Sequence, residues 1–152
     1  YGLTGDDLYR VTLWDLATGE AKFTWQLDNN IATVSLSEDG SYAFGAAQLG
    51  SAKVWSTLTG REVVQIDTGA LQSRNVTISQ AAFSPDHRHL LLGQQNRRVN
   101  LVNTITGDVE RSWDLQLKDA LRPTGAAVLA LAFGAGQTYY AIVSNGFINV
   151  LN

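Results

Sequence analysis

Cysteine is absent from this chain, and with it go any disulfide framework and any thiolate zinc site. Methionine is absent too, so the sequence carries no initiator and reads as a processed product or an excerpt of something longer. Charge is sparse: Asp, Glu, Lys and Arg make up 16% of residues, and the formal net charge is -3. With no basic excess to neutralise phosphates, nucleic acid is excluded as a first-choice partner. No apolar run approaches the ~18 residues of a membrane-spanning helix, and no charged-then-apolar leader opens the chain. Long helical periodicity is missing as well.

What is present is a set of short apolar or alternating runs, separated by Gly, Asp, Asn and Thr-Gly pairs. That pattern predicts many short antiparallel strands in a single all-β domain. The runs also repeat. Leu13-Trp14-Asp15-Leu16-Ala17-Thr18-Gly19-Glu20 recurs as Val54-Trp55-Ser56-Thr57-Leu58-Thr59-Gly60-Arg61 and as Leu101-Val102-Asn103-Thr104-Ile105-Thr106-Gly107-Asp108. Aligned on Thr-Gly, Trp14, Trp55, Val102 and finally Leu151 share one position, at spacings of 41, 47 and 49 residues. Five places after the charged residues Glu20, Arg61 and Asp108 stand Trp25, Ile66 and Trp113. A second phrase, Ile31–Gly40, matches Ile78–Asp86 and Val128–Gly136. Each full unit therefore holds four strands. Strand a is Ile31–Leu36, Ile78–Phe83 or Val128–Phe133, and strand b lies near Ser41–Ala46, His89–Gly93 or Thr138–Ser144. Strand c is Ala52–Trp55, Val99–Val102 or Ile148–Leu151, and strand d is Glu62–Ile66 or Val109–Trp113. The first unit supplies c at Arg10–Trp14 and d at Ala21–Trp25, with a scrap of b at Tyr1–Thr4.

The Trp14-Asp15 dipeptide, Phe83-Ser84-Pro85-Asp86 and the Thr-Gly turns, repeated in register, resemble the WD40 repeat family over nearly the whole chain. The resemblance implies a WD40-type β-propeller of about three and a half four-stranded blades, part of a seven- or eight-bladed ring. Its units would be 1–27 (strands c and d), 28–68, 69–115, and 116–152 without its last strand. The family's Gly-His dipeptide before strand a is absent. The place of its Asp in the b–c turn holds Leu8, Leu49, Asn96 and Asn145, so packing is expected to hold the blades in place of a His–Asp network. Two copies would match the strand number of a seven-bladed ring, but an a-b-c end meeting a b-c-d end lacks a d and an a strand. Further sequence of the same chain is therefore expected to complete the ring, in preference to a second copy.

Candidates for chemistry are few. His87 and His89 flank the a–b turn beside Asp86, but no third ligand is evident and a structural role outweighs a metal site. No G-x-S-x-G elbow is present. The Asp15…Thr18-Gly19-Glu20…Trp25 phrase also resembles tryptophan-docking repeats of quinoprotein dehydrogenases, where Trp follows the charged residue by about three. Here the gap is five, so Trp25 and Trp113 read as inter-blade packing and no cofactor is expected. Gly5-Asp6-Asp7 and Glu38-Asp39-Gly40 read as hairpin turns, not as calcium loops.

What remains is surface. The b–c and d–a connections of a propeller open on one face. Two d–a links are long: Asp67–Thr77, with Leu71, Gln72 and Arg74, and Asp114–Ala127, with Lys118, Leu121 and Arg122. The b–c turn with Gln95, Arg97 and Arg98 opens beside them, so these side chains form a candidate basic patch for an acidic peptide or loop. The expected function is a non-catalytic protein–protein interaction scaffold. A regulatory propeller domain of a larger enzyme, and a cofactor-binding propeller enzyme, are the alternatives. The resemblance implies an intracellular setting.

Overall fold

The computed structural model describes residues 1–67, 77–115 and 127–152. Among these, all regular structure is antiparallel strand, with no helix and so none long and apolar enough to cross a membrane. The first sheet holds β1 (Gly2–Gly5), β2 (Arg10–Asp15) and β3 (Glu20–Gln26). The second holds β4 (Ile31–Leu36), β5 (Tyr42–Ala47), β6 (Ala52–Ser56) and β7 (Glu62–Ile66). The third holds β8 (Ile78–Phe83), β9 (His89–Gln94), β10 (Arg98–Asn103) and β11 (Val109–Asp114). The fourth holds β12 (Val128–Phe133), β13 (Tyr139–Val143) and β14 (Ile148–Leu151). Strands follow sequence order within every sheet. The fold is consistent with a partial β-propeller; the described residues do not form a closed ring. The three a strands keep the bounds expected from sequence, and the scrap of b is a full strand, β1, paired along β2.

The repeat extends to backbone irregularities. Each a strand slips register at its start, at Ile31/Thr33, Ile78/Gln80 and Val128/Ala130. Each c–d pair slips beside the Trp-like position, at Leu13/Trp14, Val54/Trp55 and Leu101/Val102. Such bulges add twist, which a row of stacked sheets requires. The c–d turns explain the Thr-Gly signature. The amides of Gly19, Gly60 and Gly107 donate to the carbonyls of Asp15, Ser56 and Asn103. The position after the Trp-like residue accepts Asp, Ser or Asn because each caps the turn: Asp15 Oδ1 accepts from the Ala17 amide, Ser56 Oγ from Thr59 and Asn103 Oδ1 from Ile105. Gly60 is required twice over, since its φ is 72° and a Cβ there would lie 2.6 Å from the Phe23 ring.

Apolar residues on both faces of the inner sheets fill three cores, one between each neighbouring pair. Val11, Leu27, Ala43 and Trp55 fill the first, Phe44, Val54, Ile66, Leu90 and Val102 the second, and Leu91, Val99, Leu101, Val128 and Tyr139 the third. Trp25 of β3 stacks on Trp55 of β6 with centroids 4.7 Å apart and planes within 9°, while its Nε1 donates to the Gly60 carbonyl at 2.8 Å. Trp113 meets Tyr139 across the third interface at 5.3 Å. Both tryptophans thus pack between sheets.

Packing is not alone, which corrects the sequence expectation. Thr57 donates from Oγ1 to the Gly40 carbonyl and Thr104 to the His87 carbonyl, so each c–d turn is tied to the a–b turn of its own sheet. Ser37 and Ser84 donate to Asp39 and Asp86, and their Oγ atoms accept from the amides of Tyr42 and His89. All four hydroxyl residues are buried. In the first sheet, which lacks an a–b turn, the residue matching Thr57 is Leu16, and it is exposed. Thr104→Val is expected to lower unfolding free energy by about 1–3 kcal/mol, because it strips a carbonyl of its buried donor. Leu16→Ala should stay within about 0.5 kcal/mol. Urea denaturation of the two variants checks the contrast.

Asp39 gives a pH signature. Hydrogen bonds from the Ser41 hydroxyl and amide and from Ser37 hold its carboxyl down to about 2, from an ordinary 3.8. A depressed carboxylate stabilises fully above its unfolded value, and the contribution fades as pH falls from about 3.8 through about 2. Asp39→Ala should therefore be less stable than wild type at neutral pH and indistinguishable from it at the acid end of that window. Denaturant titrations at the two pH values measure this.

Candidate functional site: the b–c and d–a rim

The strand order brings the b–c turns and the entries to the a strands to one end of the sheets. There the backbone is stitched identically three times. The amides of Gln48, Gln95 and Ser144, in the b–c turns, donate to the carbonyls of Asn30, Thr77 and Ala127, which precede the a strands. The exits of the d strands join in, the Leu27 and Leu115 amides donating to the carbonyls of Tyr9 and Arg97.

One amide where each b–c turn meets strand c needs an acceptor, and the four sheets supply it from three different places. Arg10 N donates to Asp6 Oδ1 at 2.9 Å, and Ser51 N to Asp28 Oδ1 at 2.8 Å. Arg98 N donates to Asn96 Oδ1 and Phe147 N to Asn145 Oδ1, both at 3.2 Å. Asn96 and Asn145 thus cap their own turns, each from two residues before the amide. Sequence reasoning missed Asp28, which reaches in from the d–a link and also accepts from Ser51 Oγ. These bonds, led by that from the Ser51 amide, hold the Asp28 carboxyl below the usual carboxylate range.

Of the sequence-predicted site residues, Gln95, Arg97 and Arg98 sit together on this rim. Leu71, Gln72, Arg74, Lys118, Leu121 and Arg122 lie outside the described residues. Arg97 adopts a left-handed φ of 71° at the turn, and its Nη1 donates to the Leu115 carbonyl at 3.3 Å. Arg98 makes a two-point contact with Asp114 on β11, Nε to Oδ1 at 2.9 Å and Nη2 to Oδ2 at 3.0 Å. That pairing raises the Arg98 pKa and, through the Arg98 hydrogen bonds, lowers that of Asp114. The guanidinium of Arg98 is thus already neutralised, and Arg97 is the cation that the described part of this turn offers a partner.

The opposite rim holds the two histidines. His87 Nε2 lies 3.4 Å from Asp39 Oδ2 of the neighbouring sheet, and His89 Nε2 lies 3.1 Å from Glu110 Oε2. No group of three or more metal-capable side chains occurs among the described residues. Beside His89 a cleft of about 400 Å³ opens between the third and fourth sheets, edged by Asp86, Glu110, Arg111, Gln137 and the rings of Phe133 and Tyr139. It has a sequence signal that reasoning from motifs overlooked: Gly134 and Gly136 occupy the register positions of Ser84 and Asp86, so the turn lacks those two polar side chains. Glu110 and Arg111 stand where β7 has Val63 and Val64.

No family model matches the chain. It is 24% identical over 147 residues to "Eukaryotic translation initiation factor 3 subunit I" of Mycosarcoma maydis, covering 89% of this chain and 42% of that protein. That similarity hints at a WD40 relationship. The chain spans about two fifths of the length of this curated relative. Among solved structures, the computationally designed Ika4 protein superposes with a TM-score of 0.76 at 19% identity, over 98% of this chain and 82% of that one. The designed Ika8 protein gives 0.75 at 19% identity, over 97% of this chain and 41% of that one. At such identity the likeness is one of fold alone.

The Arg98–Asp114 pair sits on the surface, with the Asp114 side chain 72% exposed, so solvent screens most of its Coulomb energy. Arg98→Ala is expected to cost no more than about 1 kcal/mol, a loss that vanishes as acid protonates Asp114. Thermal melts at neutral and acidic pH, with and without high salt, check both statements.

Proposed function

We propose that this chain is a non-catalytic interaction unit built from WD40-type propeller blades of a seven- or eight-bladed ring, with 28–68 and 69–115 as complete blades. In this reading it presents the b–c and d–a rim to a protein or peptide partner. The observation that carries the reading is the repeated stitching of that rim. Every b–c turn is tied by backbone bonds to its neighbouring links and capped by a side-chain oxygen, so binding there orders little additional backbone. The similarity to a translation initiation factor subunit, a component of a multi-subunit protein by its name, supports the same class of function.

The partner fitted to this rim is an acidic segment. With Arg98 held by Asp114, its carboxylates would pair with Arg97 and with Arg74, Lys118 and Arg122 of the long links, while Gln95, Gln72, Leu71 and Leu121 supply hydrogen bonds and apolar contact. Reversing Arg97, Arg98 and Arg122 to Glu should weaken binding to an array of Asp/Glu-rich peptides by at least about tenfold and remove its salt dependence. Equal binding by the reversed and wild-type proteins would sink the assignment of this face.

A further inference from the structure

The b–c turn between β13 and β14 carries the pair Asn145-Gly146, and no other Asn-Gly pair occurs in the chain. In the first, third and fourth sheets the residue before the capped amide of this turn has a left-handed backbone: Tyr9 at φ 66°, Arg97 at 71° and Gly146 at 85°. Tyr9 and Arg97 show that a side chain is tolerated at this place, so the turn alone does not demand glycine. What glycine changes is the access of its nitrogen to the asparagine before it. It has no side chain to hinder that approach, and its backbone reaches conformations that other residues avoid.

The Asn145 side chain is held for that approach. Its Oδ1 accepts from the Phe147 amide at 3.2 Å, which folds the carboxamide back over the Gly146 peptide unit. Its Nδ2 is buried and has no hydrogen-bond partner among the described residues, so no such bond retains it as a leaving group. The third sheet supplies a comparison within the same molecule. Asn96 Oδ1 accepts from the Arg98 amide, also at 3.2 Å, but the residue between them is Arg97, whose guanidinium is anchored on the Leu115 carbonyl.

We propose that Asn145 is a site of spontaneous deamidation. The Gly146 nitrogen passes its proton to solvent and attacks Cγ of Asn145, closing a five-membered cyclic imide. The Cγ–Nδ2 bond breaks, and Nδ2 takes up protons from solvent and leaves as ammonia. Water then opens the imide at either carbonyl, giving aspartate or an isoaspartate whose main chain runs through the former side chain. Water is the only co-reactant, and nothing is oxidised or reduced. Closing the ring within one chain supplies the proximity that the step needs. The Phe147 amide, which already donates to Oδ1, meets the negative charge that builds there as the new bond forms. One contact opposes the reaction: the Gly146 amide donates to the Val143 carbonyl at 2.9 Å, and this bond must open before the nitrogen can attack. The product makes the formal net charge of -3 more negative by one unit and sets the new carboxylate on the b–c and d–a rim. The inference holds whether or not that rim binds a partner.

Incubation of the full chain in warm, mildly alkaline buffer, followed by chymotryptic mapping by mass spectrometry, tests the proposal. Cleavage after Tyr140 and Phe147 releases residues 141–147 as a peptide whose only amide side chain is Asn145. That peptide should gain about 1 Da and separate into aspartate and isoaspartate forms, while the peptide carrying Asn96 stays unchanged over the same period. Gly146→Arg, which installs the pair found in the third sheet, should slow the gain by at least about tenfold and keep the far-ultraviolet spectrum of the wild type. The chain unfolded in guanidinium is a reference that needs no variant. The folded protein should react at a rate within about tenfold of it, because opening one turn is a local event. A folded chain that gains nothing at Asn145 while the unfolded chain does would overturn the proposal. So would equal rates at Asn145 and Asn96, or an undiminished rate in a folded Gly146→Arg protein.

Discussion

A small four-stranded sheet with apolar residues on both faces cannot stand alone in water, and this constraint governs the molecule. Every inner sheet here is apolar on two sides, so each must lie between two others. The stacked pair Trp25 and Trp55 shows how sharply the requirement is met. One indole comes from the outermost strand of one sheet and the other from the next sheet, and the hydrogen bond to the Gly60 carbonyl fixes their alignment. Burying such large side chains contributes roughly 25 cal/mol per Å² of apolar surface removed from water, which makes the inter-sheet cores the main source of stability. The hydrogen-bonded ties at the two rims set the spacing and angle at which those cores can form.

Those ties hold together a repeat that has no Gly-His dipeptide before any of its a strands. Thr57 and Thr104 fasten one turn to another inside a sheet, and Ser37 with Asp39, or Ser84 with Asp86, brace the a–b turn. The Thr57 and Thr104 hydroxyls donate to backbone carbonyls and need no titratable partner, so those two ties hold across a wide pH range, whereas the Ser37–Asp39 and Ser84–Asp86 braces depend on ionised carboxyls. In the first sheet the matching position holds Leu16, which is exposed.

Much of this was legible in the residues. Strand a kept its bounds in all three copies, because alternating apolar residues run up to the Ser-Asp or Gly turns that end it. The ion pair that neutralises Arg98 was also within reach: strands c and d, set opposite each other across Thr-Gly and extended by one residue, place Arg98 against Asp114. Asp28 was not legible. It lies 23 residues from the Ser51 amide that it caps and belongs to a link with no periodicity, so only the three-dimensional return of the chain brings the two together. The polar cleft beside Gly134 and Gly136 was hidden for another reason, since its signal is the loss of side chains and a search for motifs does not register a loss.

Whole-chain averages conceal the division of labour between surfaces. A net charge of -3 and a modest charged fraction describe an ordinary water-facing body, yet every charged residue lies before residue 127 and the last sheet has none. In a row of sheets the two kinds of surface are orthogonal: faces lie between neighbours, and rims of turns lie at the strand ends. Substitutions that tune a rim for a partner need not disturb a face, because a rim side chain such as Arg97 bonds to a backbone carbonyl, that of Leu115 at the exit of β11, and not into the cores. A face, by contrast, can change only together with its opposite. Tyr140, Ile148 and Val150 match Leu91, Val99 and Leu101 in register and keep their apolar character, as Trp14 of the first sheet keeps that of Trp55.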